Sequence, residues 1–545
     1  MDLVYLDPPF NSNANYNIIF KDESGRRSDA QLLAFEDSWH WGPSAEATYA
    51  FLTETARHQG RVPDTVSTII GALRAGIGEN QMMAYLVEMA VRLVELRRVL
   101  KPTGSLYLHC DPTASHYLKV VMDTIFGPGQ FRNEVIWRRT FAHGSSLRWG
   151  DTHDSLLFYT RSGDYKWRRV DQRLTDAYVN SKYRFEDDRG RYRLVVLTGP
   201  GTTRGPSGEP WRGYDPTTAG RHWAVPRRTV EAIRAAGVEV PDDLHGQLEA
   251  LLEHGYIRFP ATRFGPGVPE FKLYLPPGQP IQDMILDIPP LNSQARERLG
   301  YPTQKPEALL ERIISASSDA GDVVLDPFCG CGTALVAAQK LDRKWIGIDV
   351  TYLSIAVMRA RLKDTFGLAD VEVIGQPTEV EGARQLAQSP EGRYQFQWWA
   401  LGLIDAQPVG GVERKGADRG IDGRITFTGQ DKKLESVLVS VKSGHVNSGQ
   451  VRDLKGTVER EKAAMGIFVT LEEPTREMRL EATTAGMYRV WERDYPKIQI
   501  VSIRELLEEG RKPSLPPLVL PTYQQAERVK ERGGEQMTLD EAGAG

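Results

Sequence analysis

The sequence predicts an α/β protein built on a mainly parallel, doubly wound sheet. Three observations predict it. Short apolar runs such as VYL, SLYLHC, VVL and KWIGI alternate along the chain with stretches of helical spacing. One such unit, Val323 to Asp349, places a glycine loop between its first strand and its helix. That unit ends in a carboxylate, Asp349, about 20 residues past the glycines, where a doubly wound sheet holds ribose hydroxyls. The stretch therefore predicts a nucleoside-containing cofactor at the carboxyl ends of parallel strands.

The chain has 545 residues, room for about three or four domains at roughly 150 residues each. It is 40% hydrophobic and 26% charged, ordinary for a soluble globular protein. No run of about 20 apolar residues predicts a membrane span. No basic segment followed by an apolar one marks a signal peptide at the N-terminus. The cysteines are Cys110, Cys329 and Cys331, with no zinc spacing, which predicts a reduced, cytoplasmic setting. The net charge of -4 excludes a globally basic nucleic-acid binder, so charge must be read locally.

Taken in order, the first element is VYL, a buried strand ended by Pro8 and Pro9, which cannot continue a ladder. Asp7 is thereby set at a strand's carboxyl end, where open α/β sheets keep their chemistry. NSNANYN after it reads as loop, and residues 30–80 carry little pattern. Met83, Leu86, Val87, Ala90, Leu93 and Val94 repeat at helical spacing until Lys101-Pro102-Thr103-Gly104 ends the helix. SLYLHCD is the next strand, and TASHYLKVVMDTIF packs back on it as a helix. His109 reads as structural, not catalytic.

Residues 131–230 differ in character, with 19 Lys+Arg, 11 Asp+Glu and 15 aromatics, five of them Trp137, Trp149, Trp167, Trp211 and Trp223. Basic and aromatic residues interleave, as in YKWRR, a composition suited to gripping phosphates and stacking on bases. Gly/Pro clusters make the region loop-rich. Tyr301 to Pro306, YPTQKP, then opens a helix, where a Thr hydroxyl and a Lys ammonium can bind a carboxylate. The helix PEALLERIISASS and the loop DPFCGCGT follow. That loop has no GxGxxG and no GxxxxGKS, which argues against a dinucleotide and against a phosphate-cradling loop.

DPFCGCGT, YPTQKP and Asp7-Pro8-Pro9-Phe10 together resemble S-adenosylmethionine-dependent DNA amino-methyltransferases. The order of catalytic motif, recognition region and cofactor motif resembles their permuted β group, which includes type III modification subunits. The resemblance covers about residues 1–375. It implies a Rossmann-like fold and S-adenosylmethionine held by Thr303, Lys305, Asp326, Phe328, Gly330, Gly332, Thr333 and Asp349. It implies catalysis by Asp7, Pro8, Pro9 and Phe10 on double-stranded DNA. Asp before PPF favours adenine N6, with cytosine N4 the alternative. It divides the chain into a catalytic half (1–130), a target-recognition insertion (131–285) and a cofactor half (286–375). The family carries a pocket-completing segment upstream of the first strand, whereas this chain begins almost at that strand. A restriction or helicase subunit and a second copy of the chain are further partners that the resemblance allows.

After a linker through SPEGR, residues 385–510 form another unit. GIDG, then a strand ending in VSVKSG, resembles the Mrr-like branch of the restriction-endonuclease fold, another α/β domain. There Asp422 would bind a divalent metal such as Mg2+, Ser440 would stand at the second ligand position, and Lys442 would activate water. Ser440 replaces the usual Glu or Gln, so either weak cleavage or DNA binding alone is expected. Residues 511–545 are Pro-rich, then charged and Gly-rich, and read as a flexible tail.

Overall fold

The computed structural model describes residues 1–9, 39–141, 149–409 and 421–520, less positions 236, 263, 264, 293, 294, 296, 300, 302, 369, 431 and 518. It also describes the backbone of Asn15–Lys21 and Arg27–Glu36, an antiparallel pair. By compactness there are two units, one of Met1–Arg168 with Gln282–Gly545 and one of Arg169–Ile281.

A seven-stranded sheet organises the first unit. Its strands are β1 (Leu3–Leu6), β2 (Ser105–Cys110), β3 (Phe131–Arg138), β4 (His153–Thr160), β5 (Met284–Ile285), β6 (Val323–Asp326) and β7 (Lys344–Gly347). They lie in the order β5-β3-β4-β2-β1-β6-β7. β2, β1, β6 and β7 run parallel, whereas β4 is antiparallel to both β2 and β3. The parallel half is where strand and helix alternate in sequence. The antiparallel step lies in the stretch that reads as an insertion from residue 131, so the sheet continues about 30 residues past that boundary. Trp137 accordingly packs in the sheet's core and donates its indole N–H to the Ile288 carbonyl.

Both faces of β1, β2 and β6 are covered, so these strands read as continuous apolar runs. Val4, Leu6, Leu106 and Leu108 meet helices α1 (Gln81–Val99) and α2 (Pro112–Phe126). Leu3, Tyr5, Tyr107 and Phe158 meet α3 (Glu307–Ser317) and α4 (Thr333–Lys340) on the other face. Each fully buried leucine contributes about 1.5–3 kcal/mol. Asn80 caps α1 by accepting from the Met83 amide, and Asp111 caps α2 from the Ala114 amide.

α5 (Tyr352–Phe366) follows β7, and α6 (Pro390–Leu403) follows in turn. The SPEGR stretch is not a linker: it starts α6. Ser389 accepts from the Gly392 amide and Pro390 takes the first helical position, where a missing N–H costs nothing. A five-stranded sheet comes next, β8 (Gln407–Pro408), β9 (Gly423–Thr428), β10 (Leu434–Lys442), β11 (Met465–Thr470) and β12 (Ile498–Ser502), in that order. β9 and β10 form the expected hairpin, and helix α7 (Ser448–Arg460) connects β10 to the parallel β11. The start of the expected tail joins this sheet: Leu520 donates its amide to the Thr426 carbonyl, and Gln499 exchanges hydrogen bonds with Ser514. Among the described residues no helix is long and apolar enough to cross a membrane.

The second unit holds a four-stranded antiparallel sheet of Phe185–Asp187, Gly190–Val196, Glu270–Tyr274 and Ile257–Arg258. Trp211 and Trp223 are buried in its core beside Leu248, Leu251 and Phe271. They are core residues and not stacking platforms, which composition could not distinguish. Several of its cations are also paired, Arg212 with Glu249, Arg234 with Asp242 and Lys272 with Asp187.

Candidate active site

The carboxyl ends of β1, β6 and β7 open on a cleft of about 580 Å³, within the range of small-molecule sites. It is lined by Asp7 and Pro9 after β1, by Asp326 at the end of β6 with Phe328 and Gly330 after it, and by Asp349 after β7. Thr303, Lys305 and Thr333 also line it. The structure thus gathers residues from both ends of the sequence. Pro8 is buried and does not line the cleft, and Phe10 lies outside the described residues. Gly332 caps α4 and likewise does not line it.

Backbone geometry explains the loop's glycines. Gly330 has φ +47, and a Cβ there would meet the Tyr301 ring at 3.1 Å. Gly332 has φ +77, and a Cβ would meet Met358 Cγ at 2.6 Å. Asp349 ties the loop to β7. Its Oδ2 accepts from the Gly330 amide at 3.0 Å, and its Oδ1 accepts from the Thr351 amide and hydroxyl. A carboxylate has about four acceptor sites, so capacity remains for a ribose hydroxyl. Burial raises the Asp349 carboxyl above its ordinary range, against the pull of these donors. Asp326, only 3% exposed, is pushed well above that range by burial and by the nearby Asp7 and Asp349. One of its oxygens accepts from the Phe328 amide.

Lys305 Nζ donates to Asp7 Oδ2 at 2.6 Å, so YPTQKP is joined directly to the DPPF motif. Sequence places Lys305 at a cofactor carboxylate; in the structure it is an ion-pair partner of Asp7 inside the same cleft. Gln304 braces this segment, donating to the Glu297 carbonyl and accepting from the Leu299 amide. The set suits an adenosyl amino acid, with an acid for ribose, glycine amide backbone beside it and an ammonium for a carboxylate.

Sequence reasoning missed Trp39 and Arg92, which also line the cleft. Trp39 falls in the weakly patterned stretch, and Arg92 is one polar position among many on α1. It also missed a buried chain beside Asp7. Tyr5 Oη lies 2.9 Å from His109 Nδ1, and His109 Nε2 lies 3.0 Å from Asp154 Oδ2. Burial alone would raise Asp154, but the hydrogen bond from His109 and the charges of His109, Lys305 and Arg139 carry it below its usual range. Trp137, Arg139 and Asp154 line a second cavity of about 240 Å³. Tyr301, Thr303, Gln304 and Lys305 are shared with the cleft.

The second expected site is thinner. Asp422 Oδ2 accepts from the Val441 amide at 2.7 Å and the Ser440 hydroxyl at 3.2 Å, with Lys442 Nζ at 3.5 Å. The hairpin does bring these residues together. The donor set does not fit a divalent cation, because among the described residues it has one carboxylate, with three donors already on one of its oxygens, and cation sites need several oxygens. Among the described residues no group of three or more His, Cys, Asp or Glu could hold a metal.

Comparison with known proteins agrees with this division. A family model described as "NACHT-associated inactive Restriction Endonuclease 1" matches residues 408–508. The Type II methyltransferase M.EcaI of Enterobacter cloacae is 30% identical over 281 residues, 51% of this chain and 57% of that protein. The Type III restriction-modification enzyme StyLTI Mod subunit of Salmonella typhimurium is 26% identical over 365 residues, 63% of this chain and 47% of that one. The chain thus spans about half the length of these curated relatives. The crystal structure of the M1.HpyAVI–SAM complex aligns at 16% identity and a TM-score of 0.23, over 48% of this chain and 75% of that one. A family model described as "DNA methylase" matches residues 1–356, well over half of the sequence, and the chain belongs to that DNA methylase family.

Proposed function

We propose that this protein transfers a methyl group from S-adenosylmethionine to N6 of adenine in duplex DNA, in a restriction–modification or DNA-defence system. The observation that carries the reading is the convergence of Asp7 and Asp349 on one cleft, at the ends of strands that both adjoin β6. Asp349 would hold the ribose, Gly330 and Phe328 the nucleoside, and Thr303 and Lys305 the amino-acid end. When bound, S-adenosylmethionine supplies an electrophilic methyl group. An exocyclic amine is a poor nucleophile because its lone pair is shared with the ring. Asp7 accepts an amino hydrogen, which returns electron density to nitrogen. The target base must leave the stack, and the adjoining 240 Å³ cavity, which shares Lys305, the partner of Asp7, with the cleft, is the candidate room for it. Positioning supplies much of the acceleration.

Asp ahead of Pro8-Pro9 favours adenine, while the family covers both N6 and N4 transfer. The order of Asp7 before the glycine loop supports membership of the permuted β group. The unit at 169–281 is the candidate reader of DNA sequence. Likeness to a Mod subunit supports a restriction subunit as partner. The C-terminal sheet binds DNA without cutting it, as its engaged Asp422 favours.

The test is methyl transfer from labelled cofactor to duplex DNA, with hydrolysis to identify the base. Asp7→Ala is expected to lose roughly 10²–10⁴-fold in transfer while cofactor binding survives. Undiminished transfer in a folded variant removes Asp7 from the mechanism, and N4-methylcytosine as product replaces adenine.

A further inference from the structure

Helix α6 lies between the two family matches, which end at 356 and begin at 408, and it has two faces. Phe396, Trp399 and Ala400 enter the core of the C-terminal sheet with Val437 and Val439. Gln395 and Trp398, three residues apart and so neighbours on the helix, face the methyltransferase. Trp398 is buried in one cluster with Tyr301, Cys331, Leu353 and Val357. Two of those, Tyr301 and Cys331, line the cofactor cleft. Gln395 Oε1 accepts from the Tyr352 amide at 3.2 Å, in the first turn of α5. That turn is also held from the cleft side. Thr351 donates to Asp349 Oδ1, and Tyr301 Oη lies 3.1 Å from Ser354 Oγ.

The start of α5 is therefore gripped by the ribose-side acid in front and by α6 behind. Because a packed interior transmits small shifts, a change at Trp398 reaches the glycine loop through direct neighbours. We infer that Trp398 and Gln395 are positioning residues for the cofactor cleft. Through these two residues α6 forms the back of the glycine loop, and their contacts, rather than the packing of the domain at large, are coupled to cofactor affinity. A nuclease-like domain with no metal-holding cluster among its described residues thereby contributes to the methyltransferase site. The inference rests on the cleft's binding S-adenosylmethionine.

The experiment is calorimetric titration of the full chain with S-adenosylmethionine. Absence of binding by the parent defeats the cofactor reading itself. Given binding, Trp398→Ala is expected to weaken it about tenfold, within the roughly 5–150-fold range of coupling between sites. Trp398→Phe is expected to restore it to within about threefold of the parent. Phe396→Leu, on the opposite face of the same helix, is expected to lower melting temperature and leave affinity unchanged. Equal affinity of folded Trp398→Ala and the parent overturns the inference, as does a loss in Phe396→Leu as large as in Trp398→Ala. If Trp398→Ala does not fold, Gln395→Ala decides, with reduced affinity supporting the coupling and parental affinity overturning it.

Discussion

Asp326 shows what the cleft costs the fold. Its carboxyl is enclosed at the end of a buried strand, and burial with Asp7 and Asp349 nearby raises it well above the usual carboxylate range. Folding therefore favours its protonated form. For an acid raised in the folded state, stability falls as pH rises from the unfolded value, about 4, through the folded value. Asp326→Asn removes that charge and keeps an oxygen to accept from the Phe328 amide. The variant should melt a few degrees above the parent at pH 8 and level with it near pH 4, taking roughly 2–4 °C per kcal/mol. Thermal melts at the two pH values decide it, and a variant less stable than the parent at pH 8 would contradict the argument. Asp7 and Asp349 were legible from sequence because their strands end visibly in DPP and GID. The Lys305–Asp7 pair was not, since the two lie 298 residues apart and only the sheet order brings them together.

At the scale of elements, the strand–loop–helix unit of β6 and α4 carries the strongest constraint. Gly332 and Gly367 have nearly the same positive φ, +77 and +74. They differ in surroundings. A Cβ at Gly332 would strike Met358, whereas at Gly367, the cap of α5, nothing lies within 4 Å. Gly367→Ala should cost about 1–2 kcal/mol for left-handed strain alone. Gly332→Ala adds the clash, about 1–3 kcal/mol more. Urea titration of both variants tests the difference, and equal losses would mean that Met358 yields freely. Sequence pattern located these parallel elements well because β1, β2 and β6 are covered on both faces and read as apolar runs. It failed at α6. The Ser-Pro start of that helix follows an acidic stretch and reads as a linker, and the helix shows its value only through what its two faces touch.

At the scale of the whole molecule, the same limit separates composition from placement. The density of tryptophan and arginine in residues 131–230 was visible, but not its division between a sheet core, a second unit's core and the surface. Trp149 is 96% exposed, whereas Trp211 and Trp223 are buried. The C-terminal sheet poses the corresponding question for function, because its fold and its chemistry part company. Phosphodiester hydrolysis by this kind of site needs metal held by several carboxylate or carbonyl oxygens. Here Asp422 is the described acid at this end of the hairpin, and the Val441 amide, the Ser440 hydroxyl and the Lys442 ammonium converge on one of its oxygens. A cation entering would have to displace Lys442 and would gain a neutral hydroxyl from Ser440 in place of a second charge. The full chain should therefore leave methylated and unmethylated plasmids intact in magnesium or manganese while still retarding them on a gel. Ser440→Glu restores a second carboxylate and is the variant in which any cleavage should first emerge. Metal-dependent cutting by the parent, lost in Lys442→Ala, would show instead that a single carboxylate suffices and that residues outside the hairpin complete the site.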